Sequence, residues 1–274
     1  MNVRSLCLIQ HVAIVANMLS LGLVSAYSQE LPRNNESELP ASVDLRTTFA
    51  ELGLKQRQQG ARGTCSVFTI VGALEFAIAR SQGRGETLSV DFLNWAANQH
   101  RSPRDGGFFS DMWKGFAAHG ICDEEQMPYM NKFDASLVPD AAAIARAKAR
   151  LELGLARHWI KEWNVKTGLT EAQFLAIKQT LNQGWPVCGG FRWPKRPTSK
   201  DHTLQMCPPE DVFDGHSVLI TGYRDEPAEN GGGVLTFRNS NGGATDSLMP
   251  SAFARAYMND ALWISPPARS AASN

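Results

Sequence analysis

The sequence predicts an α+β protein, with helices in its first half and a pair of strands in its second half. Apolar residues recur at helical spacing over residues 65–80, with little polarity except at the ends. Residues 214–223 and 234–237 have strand composition, and the glycines at 231–233 between them are typical of a turn, which predicts a hairpin. At 274 residues, the chain is long enough for one large domain or for two lobes around a cleft.

Four further helices are predicted between the first helix and the hairpin. Two follow from apolar periodicity, at residues 89–99 and 110–118. An alanine-rich pattern that follows a proline predicts a helix at about 140–157. A Thr-Glu-Ala-Gln capping box at 170–173 predicts the start of the last one, which ends at Gly184.

Cys65 is the candidate nucleophile. It closes the run Gln-Gly-Ala-Arg-Gly-Thr-Cys at 59–65 and lies in the first turn of the first long helix. A thiol there is near the positive end of the helix dipole and near unpaired amide N–H groups, which favour the thiolate. A cysteine at this position can also be a small apolar residue that fills a helix start, so its function depends on its partners.

Three other residues supply the groups that a nucleophilic thiol needs. His216 lies in the first predicted strand and Asn239 follows the second, so antiparallel pairing brings them near each other. Thiol attack on an acyl carbon requires a base, a group that orients the imidazole, and donors to the oxyanion. Cys65, His216, Asn239 and Gln59 can fill these roles.

The order and spacing of these residues resemble the papain-like cysteine peptidases. Gln59 stands six residues before Cys65, as the oxyanion-hole glutamine of the family does before its nucleophile. The distance from Cys65 to His216 lies at the edge of the separation expected for the family. The similarity extends from residues 40–46 to 259–264, where it is strongest to prokaryotic members. The other matching segments are 88–93, 106–107, 127–129, 185–187 and 238–242.

The resemblance implies a papain-like two-lobed fold within residues 40–266. The expected helical lobe covers about 48–130, and the expected antiparallel β-barrel-like lobe covers about 131–266, with the active-site cleft between them. Residues 27–39 are expected to form a short N-terminal segment without a folded prodomain, and 267–274 are expected to form a flexible tail.

The implied activity is hydrolysis of peptide bonds by an exported cysteine endopeptidase. The resemblance implies Cys65, His216 and Asn239 as the catalytic triad and Gln59 in the oxyanion hole. No metal and no cofactor are expected, and the expected partner is a peptide or protein substrate. Glycine lets another backbone approach closely, so a glycine pair is expected to present main-chain groups to the substrate. The implied substrate-binding residues are Gly106, Gly107, Gly190 and Ser217.

Three positions depart from the family pattern. Arg62 stands where a cysteine usually forms a disulfide that braces the nucleophile loop. Ser66 replaces the aromatic residue after the nucleophile, and Asn241 replaces the tryptophan that covers the His–Asn hydrogen bond. The last two changes remove apolar cover, which predicts lower activity or an unusual substrate. The alternative functions are a papain-like peptide- or protein-binding module with weak or lost catalysis, and an acyltransferase that uses the same thiol chemistry.

The N-terminal segment predicts export. Residues 1–26 carry Arg4, a mostly apolar stretch at 12–23 and small side chains at 24–26, the pattern of a signal peptide. The mature protein is therefore expected to be a secreted or periplasmic monomer, with a proteinaceous inhibitor as a further candidate partner. An uncleaved anchor is the alternative, although the run is too short and too polar for a transmembrane helix. With 27 basic and 27 acidic residues, no nucleic-acid partner is expected.

Three cysteines remain after Cys7 in the predicted signal peptide and Cys65 are set aside. In an exported protein, one pair and one free thiol are expected, and Cys188 with Cys207 is the favoured pair. A zinc site with His202 and Cys207 lacks a second ligand pair. Four tryptophans could line a cleft, although core packing is the favoured interpretation: Trp159, Trp163, Trp185 and Trp193.

Overall fold

The computed structural model describes residues 39–243 and 246–267, except for the side chain of Asp214. The predicted signal peptide, nearly all of the segment at 27–39 and nearly all of the tail lie outside the described residues. Within the part that the structure describes, no helix combines the length and the apolar character needed to cross a membrane.

Helices dominate the chain up to residue 182, as the periodicity predicts. The helices are α1 (Arg46–Glu51), α2 (Cys65–Gln82), α3 (Val90–Asn98), α4 (Phe109–His119), α5 (Ala141–Ala149), α6 (Glu171–Asn182) and α7 (Ser251–Tyr257). The caps follow the expected chemistry: Ser89 accepts from the Phe92 N–H at the start of α3, and Thr170 forms the predicted capping box of α6. Turns of 3-10 helix occupy Arg150–Leu153 and Pro209–Asp211.

The helix predicted at 140–157 is too long. Helix α5 ends at Ala149, and the following 3-10 turn ends at Gly154, whose φ of +63° is left-handed. Glycine adopts this conformation without the steric cost of a Cβ, so it stops the helix. The chain then becomes strand β2 (Ala156–Lys161), because these residues pair with the last strand of the sheet.

The strands form one open sheet instead of a closed barrel, and the α+β class is confirmed. After β2 come β3 (Val187–Pro194), β4 (Ser199–Lys200), β5 (Thr203–Leu204), β6 (Val212–Glu226), β7 (Gly232–Arg238), β8 (Ser247–Pro250) and β9 (Met258–Ser265), and β1 (Ser42–Asp44) precedes all helices. The order is β2-β9-β3-β6-β7-β8-β5-β4, with β1 also on β6. The predicted hairpin is confirmed as the antiparallel pair β6–β7.

Helix α2 packs directly on the sheet and thereby fixes where the site is. Most of its apolar side chains, including Ile70 and Leu74, are fully buried. Gly72 of α2 allows close approach to β6, because a Cβ there would lie 3.1 Å from Leu219. On β3, the Cys188 thiol donates to the Thr69 carbonyl of α2 at 3.6 Å. These contacts place the N-terminal half of α2 against strands β3 and β6.

The disulfide expected between Cys188 and Cys207 is wrong. All four cysteines of the described residues are free, and Cys188 is fully buried beneath α2. Cys207, by contrast, is partly exposed.

Candidate active site

Cys65 and His216 meet at one cleft, although they come from a helix and a strand far apart in sequence. Cys65 is the first residue of α2, and its Sγ lies 3.8 Å from the carbonyl oxygen of Gly215, the residue before His216. Both side chains line a cavity of about 260 Å³. The candidate nucleophile and the candidate base therefore face the same space.

The imidazole of His216 is oriented by Asn239. Nε2 of His216 lies 2.9 Å from Oδ1 of Asn239, across the β6–β7 pair that the sequence predicts. Because an amide oxygen only accepts, Nε2 carries the proton in this bond. The Asn241 N–H also donates to the same oxygen at 3.0 Å, which holds the amide in place. This tautomer leaves Nδ1 of His216 as the nitrogen that can accept a proton.

Burial disfavours a lone charge on either partner. It raises the pKa of the Cys65 thiol, although N–H groups of Ser217 and Ser66 act in the opposite direction. It also lowers the pKa of His216, which the hydrogen bond to Asn239 partly offsets. Burial thus outweighs these hydrogen bonds to the thiol, and an isolated thiolate is disfavoured. Transfer of the thiol proton to His216 would instead create two opposite charges together.

Gln59 is held from two sides. Its Oε1 accepts from the Ser240 hydroxyl at 2.8 Å, and its Nε2 donates to the Arg62 carbonyl at 2.7 Å. Its backbone N–H also donates to the Ser240 carbonyl at 2.8 Å. An amide nitrogen has two hydrogens, so a second donor is available for an oxyanion. Because Ser240 follows Asn239, this ties the glutamine loop to the orienting asparagine.

The predicted glycine pair lies at the cleft, but its main-chain groups are partly engaged within the protein. The Gly106 N–H donates to Asn94 Oδ1 at 3.1 Å, and its carbonyl accepts from Arg101. The Gly107 N–H donates to Ser66 Oγ at 3.1 Å, and Gly107 itself lines the cavity. Ser66 therefore connects this loop to the nucleophile helix. The aromatic residue that stands at this position in the family could not accept this hydrogen bond through its ring.

Gly190 and Ser217 also line the cavity, opposite a carboxylate that the sequence did not single out. Gly190 pairs with Asp260 across β3–β9, and a Cβ on Gly190 would lie only 2.0 Å from Asp260 Oδ1. The space left by the glycine is thus filled by the carboxylate. The rim is aromatic: Phe108 and Trp163 make an edge-to-face contact at 5.1 Å, and each is 43% exposed.

Trp193 supplies aromatic cover for His216. Its ring centroid lies 4.6 Å from that of the imidazole, and the side chain is 8% exposed. Asn241, which stands at the position of the family tryptophan, is exposed. A second cavity, of about 520 Å³, is lined by Trp193, His216, Asn239, Asn241, Leu204 and Phe213, among others. The sequence missed this role because it did not predict the pairing of β3 with β6, which brings Trp193 beside His216.

A sequence model of the papain family of cysteine proteases matches residues 39–244, which include Gln59, Cys65, His216 and Asn239. The chain belongs to the papain family of cysteine proteases. Cathepsin K of Gallus gallus is 26% identical over 195 residues, which cover 68% of this chain and 51% of that protein. The chain therefore spans about half the length of this curated relative.

Solved structures of papain-family proteases share the fold. Xylellain, a cysteine protease from Xylella fastidiosa, aligns with a TM-score of 0.66 over 84% of this chain and 87% of that chain, at 21% identity. Digestive procathepsin L 3 of the Tenebrio molitor larval midgut aligns with a TM-score of 0.59 over 84% and 71%, at 19% identity. These likenesses confirm the papain-like fold.

Proposed function

We propose that this papain-family protein is an exported cysteine endopeptidase. The observation that carries the proposal is the 2.9 Å contact between His216 Nε2 and Asn239 Oδ1 beside the cavity that Cys65 also lines. The contact leaves Nδ1 of the imidazole available as a base toward that cavity, and a base next to a thiol is what acyl transfer requires.

In the proposed reaction, Nδ1 of His216 takes the thiol proton and Cys65 Sγ attacks the peptide carbonyl carbon. The carbonyl electron pair moves onto oxygen, where the Gln59 amide and the Cys65 backbone N–H donate to it. When the C–N bond breaks, the imidazolium gives its proton to the leaving amine. Water, deprotonated by His216, then attacks the thioester, which releases the acid and restores the thiol.

Burial makes the paired transfer of charge central to this mechanism. Since neither a lone thiolate nor a lone imidazolium is favoured, the two charges form together, by transfer of the thiol proton to His216. Asn239 stabilises the imidazolium by its hydrogen bond. Trp193 keeps water from one side of the imidazole ring of His216. Electrostatic interactions are stronger where water is excluded.

Export is supported by the signal-peptide pattern at residues 1–26. One structural neighbour, Cwp84 of Clostridium difficile, is described as a surface layer associated protein and aligns with a TM-score of 0.59. The proposal is tested by expressing the full chain in a bacterium with an outer membrane, and by sequencing the N-terminus of the exported product. Retention of residues 1–26 on a cytoplasmic product would overturn it.

The catalytic test uses residues 27–274 and a peptidyl epoxide, which alkylates reactive active-site thiols. We expect one adduct, on Cys65, together with hydrolysis of a fluorogenic peptide, and we expect Cys65→Ala to abolish both. Cys207→Ala is the matched control, because Cys207 is the other partly exposed thiol of the described residues. Equal labelling of Cys65 and Cys207 with no hydrolysis would overturn the proposal.

A binding module with little catalysis is the second candidate function. The observation that favours it is the raised pKa of Cys65, since the protonated thiol is a poor nucleophile. The rate of alkylation as a function of pH separates the two functions. A peptidase gives fast alkylation at mildly acidic pH, whereas a binding module gives alkylation that rises only in alkaline solution.

A further inference from the structure

Arg62 is a buried cation in the loop before the nucleophile. Its side chain is 5% exposed, and it reaches two carboxylates and one carbonyl. Nη1 lies 2.7 Å from Asp91 Oδ1 and 2.8 Å from the carbonyl oxygen of Met130, while Nη2 lies 2.7 Å from Asp105 Oδ1. The guanidinium also lies 4.7 Å from the ring centroid of Tyr129. One side chain therefore joins four segments of the chain.

The ion pairs keep Arg62 charged despite its burial. Burial alone lowers the pKa of a guanidinium, but the hydrogen bond to Asp105 and the charge of Asp91 raise it above its ordinary value. A buried charge whose partners are removed is strongly unfavourable, so the arginine and the two carboxylates fix each other's positions. The planar guanidinium suits this role because its donors point in set directions.

The backbone of Arg62 is in direct contact with the oxyanion-hole candidate. Its carbonyl accepts from Gln59 Nε2 at 2.7 Å, and this bond sets which way the amide points. The Tyr129 hydroxyl, beside the guanidinium, donates to the Gln59 carbonyl at 2.8 Å. The loop also touches the glycine pair, since a Cβ on Gly106 would lie 2.2 Å from the Gly63 carbonyl oxygen. Movement of Arg62 would therefore move the Gln59 amide.

We propose that Arg62 is a positioning residue for the oxyanion hole. Its ion pairs to Asp91 and Asp105 hold the Arg62 carbonyl, and that carbonyl aims the Gln59 amide at the developing oxyanion. The ion pairs thus take the place of the disulfide that the cysteine of the family usually forms at this position. The catalytic consequence rests on the proposed peptidase function, whereas the ordering of Gln59 does not.

A double-mutant cycle tests the coupling between Arg62 and Gln59. Loss of one oxyanion donor lowers kcat by about 100- to 1000-fold, which is the expected effect of Gln59→Ala. We expect Arg62→Met to lower kcat by roughly tenfold or more with little change in KM, because a mispositioned donor is partly lost. In the Gln59→Ala background, the same substitution should change kcat less than about threefold.

Arg150→Met is the matched control. Arg150 is also a buried arginine that contacts two carboxylates, Glu86 and Asp123, and one carbonyl, that of Ile121. The Arg150→Met substitution is expected to lower the unfolding midpoint in urea about as much as Arg62→Met does. It should leave kcat of the folded protein unchanged. If Arg62→Met folds too poorly to assay, Asp105→Asn removes one ion pair and is carried through the same cycle.

Equal losses of kcat from Arg62→Met with and without Gln59 would overturn the proposal, as would an equal loss from Arg150→Met. A second measurement does not depend on activity. The side-chain amide ¹⁵N resonance of Gln59, assigned by its absence in Gln59→Ala, should shift and broaden in Arg62→Met and stay unchanged in Arg150→Met. If the unmodified protein shows no thiol-dependent acylation, the peptidase proposal fails, while an unchanged Gln59 resonance in Arg62→Met overturns the positioning role.

Discussion

Substitution of Gly106 by alanine probes the packing that positions the nucleophile loop. Gly106 has a φ of +60°, and a Cβ there would lie 2.2 Å from the carbonyl oxygen of Gly63, two residues before Cys65. The obstruction is backbone, so no side-chain rotation can relieve it. The new methyl group must therefore push the glycine loop away from the loop that carries Cys65.

Two costs add in this variant. A left-handed backbone costs a residue with a Cβ about 1–2 kcal/mol. Forcing a methyl group into a packed interface costs about 1–3 kcal/mol more. Gly106→Ala is therefore expected to lower the free energy of unfolding by about 2–5 kcal/mol, if the loops move only as far as the clash requires.

Gly53→Ala separates the two costs. Gly53 has a φ of +71°, close to that of Gly106, but a Cβ there would have nothing within 4 Å. Its substitution is expected to cost only the backbone part, about 1–2 kcal/mol, and to leave kcat/KM unchanged. The difference between the variants, about 1–3 kcal/mol, measures the loop contact.

Urea unfolding gives the stabilities, and hydrolysis of a fluorogenic peptide by the folded protein gives kcat/KM. We expect Gly106→Ala to lower kcat/KM by at least about tenfold, since a misplacement near 1 Å can cost about 100-fold. Equal stability losses in Gly53→Ala and Gly106→Ala, with kcat/KM unchanged in both, would refute the reasoning.

The site supports three further predictions. Asn239→Ala removes the hydrogen bond that raises the pKa of His216, so the imidazole stays neutral, and able to act as the base, down to lower pH. The acidic limb of kcat/KM is therefore expected to move to lower pH, and an unmoved acidic limb would contradict this. Trp193→Leu removes the ring beside the imidazolium and is expected to lower kcat/KM roughly 2- to 30-fold, a loss that Trp193→Phe should largely avoid. Excess dithiothreitol should leave the unfolding midpoint of residues 27–274 unchanged, because their four cysteines are free; a lower midpoint would reveal a disulfide.

The sequence was informative where function depends on local pattern. The helix that begins at Cys65 follows from apolar periodicity, and the proximity of His216 and Asn239 follows from the hairpin between them. The spacing of Gln59 before Cys65 predicts that Gln59 lies in the loop that leads into the helix of Cys65. Each of these inferences requires only neighbouring residues or one turn.

Inferences that depend on the environment of a residue were less successful. The helix dipole at Cys65 favours the thiolate, but the protein packed around the thiol raises its pKa, and that packing has no local sequence signal. The resemblance implies Gly190 as a substrate-binding residue, but the carboxylate of Asp260 on the neighbouring strand fills the space that this glycine leaves. Strand register decides such contacts, and it is set by the whole sheet.

The three departures from the family pattern share one physical feature. Each replaces a family residue that contributes a contact, and in each case a residue distant in sequence makes another contact instead. Arg62 forms ion pairs with Asp91 and Asp105, and Ser66 accepts from the Gly107 N–H. Trp193 covers His216, which Asn241 leaves uncovered. The substitutes differ in chemistry from what they replace. A disulfide is lost to reduction, whereas the ion pairs of Arg62 carry no redox chemistry. A nucleophile loop held by those ion pairs should therefore keep its geometry in reducing surroundings, which also keep the Cys65 thiol free of oxidation.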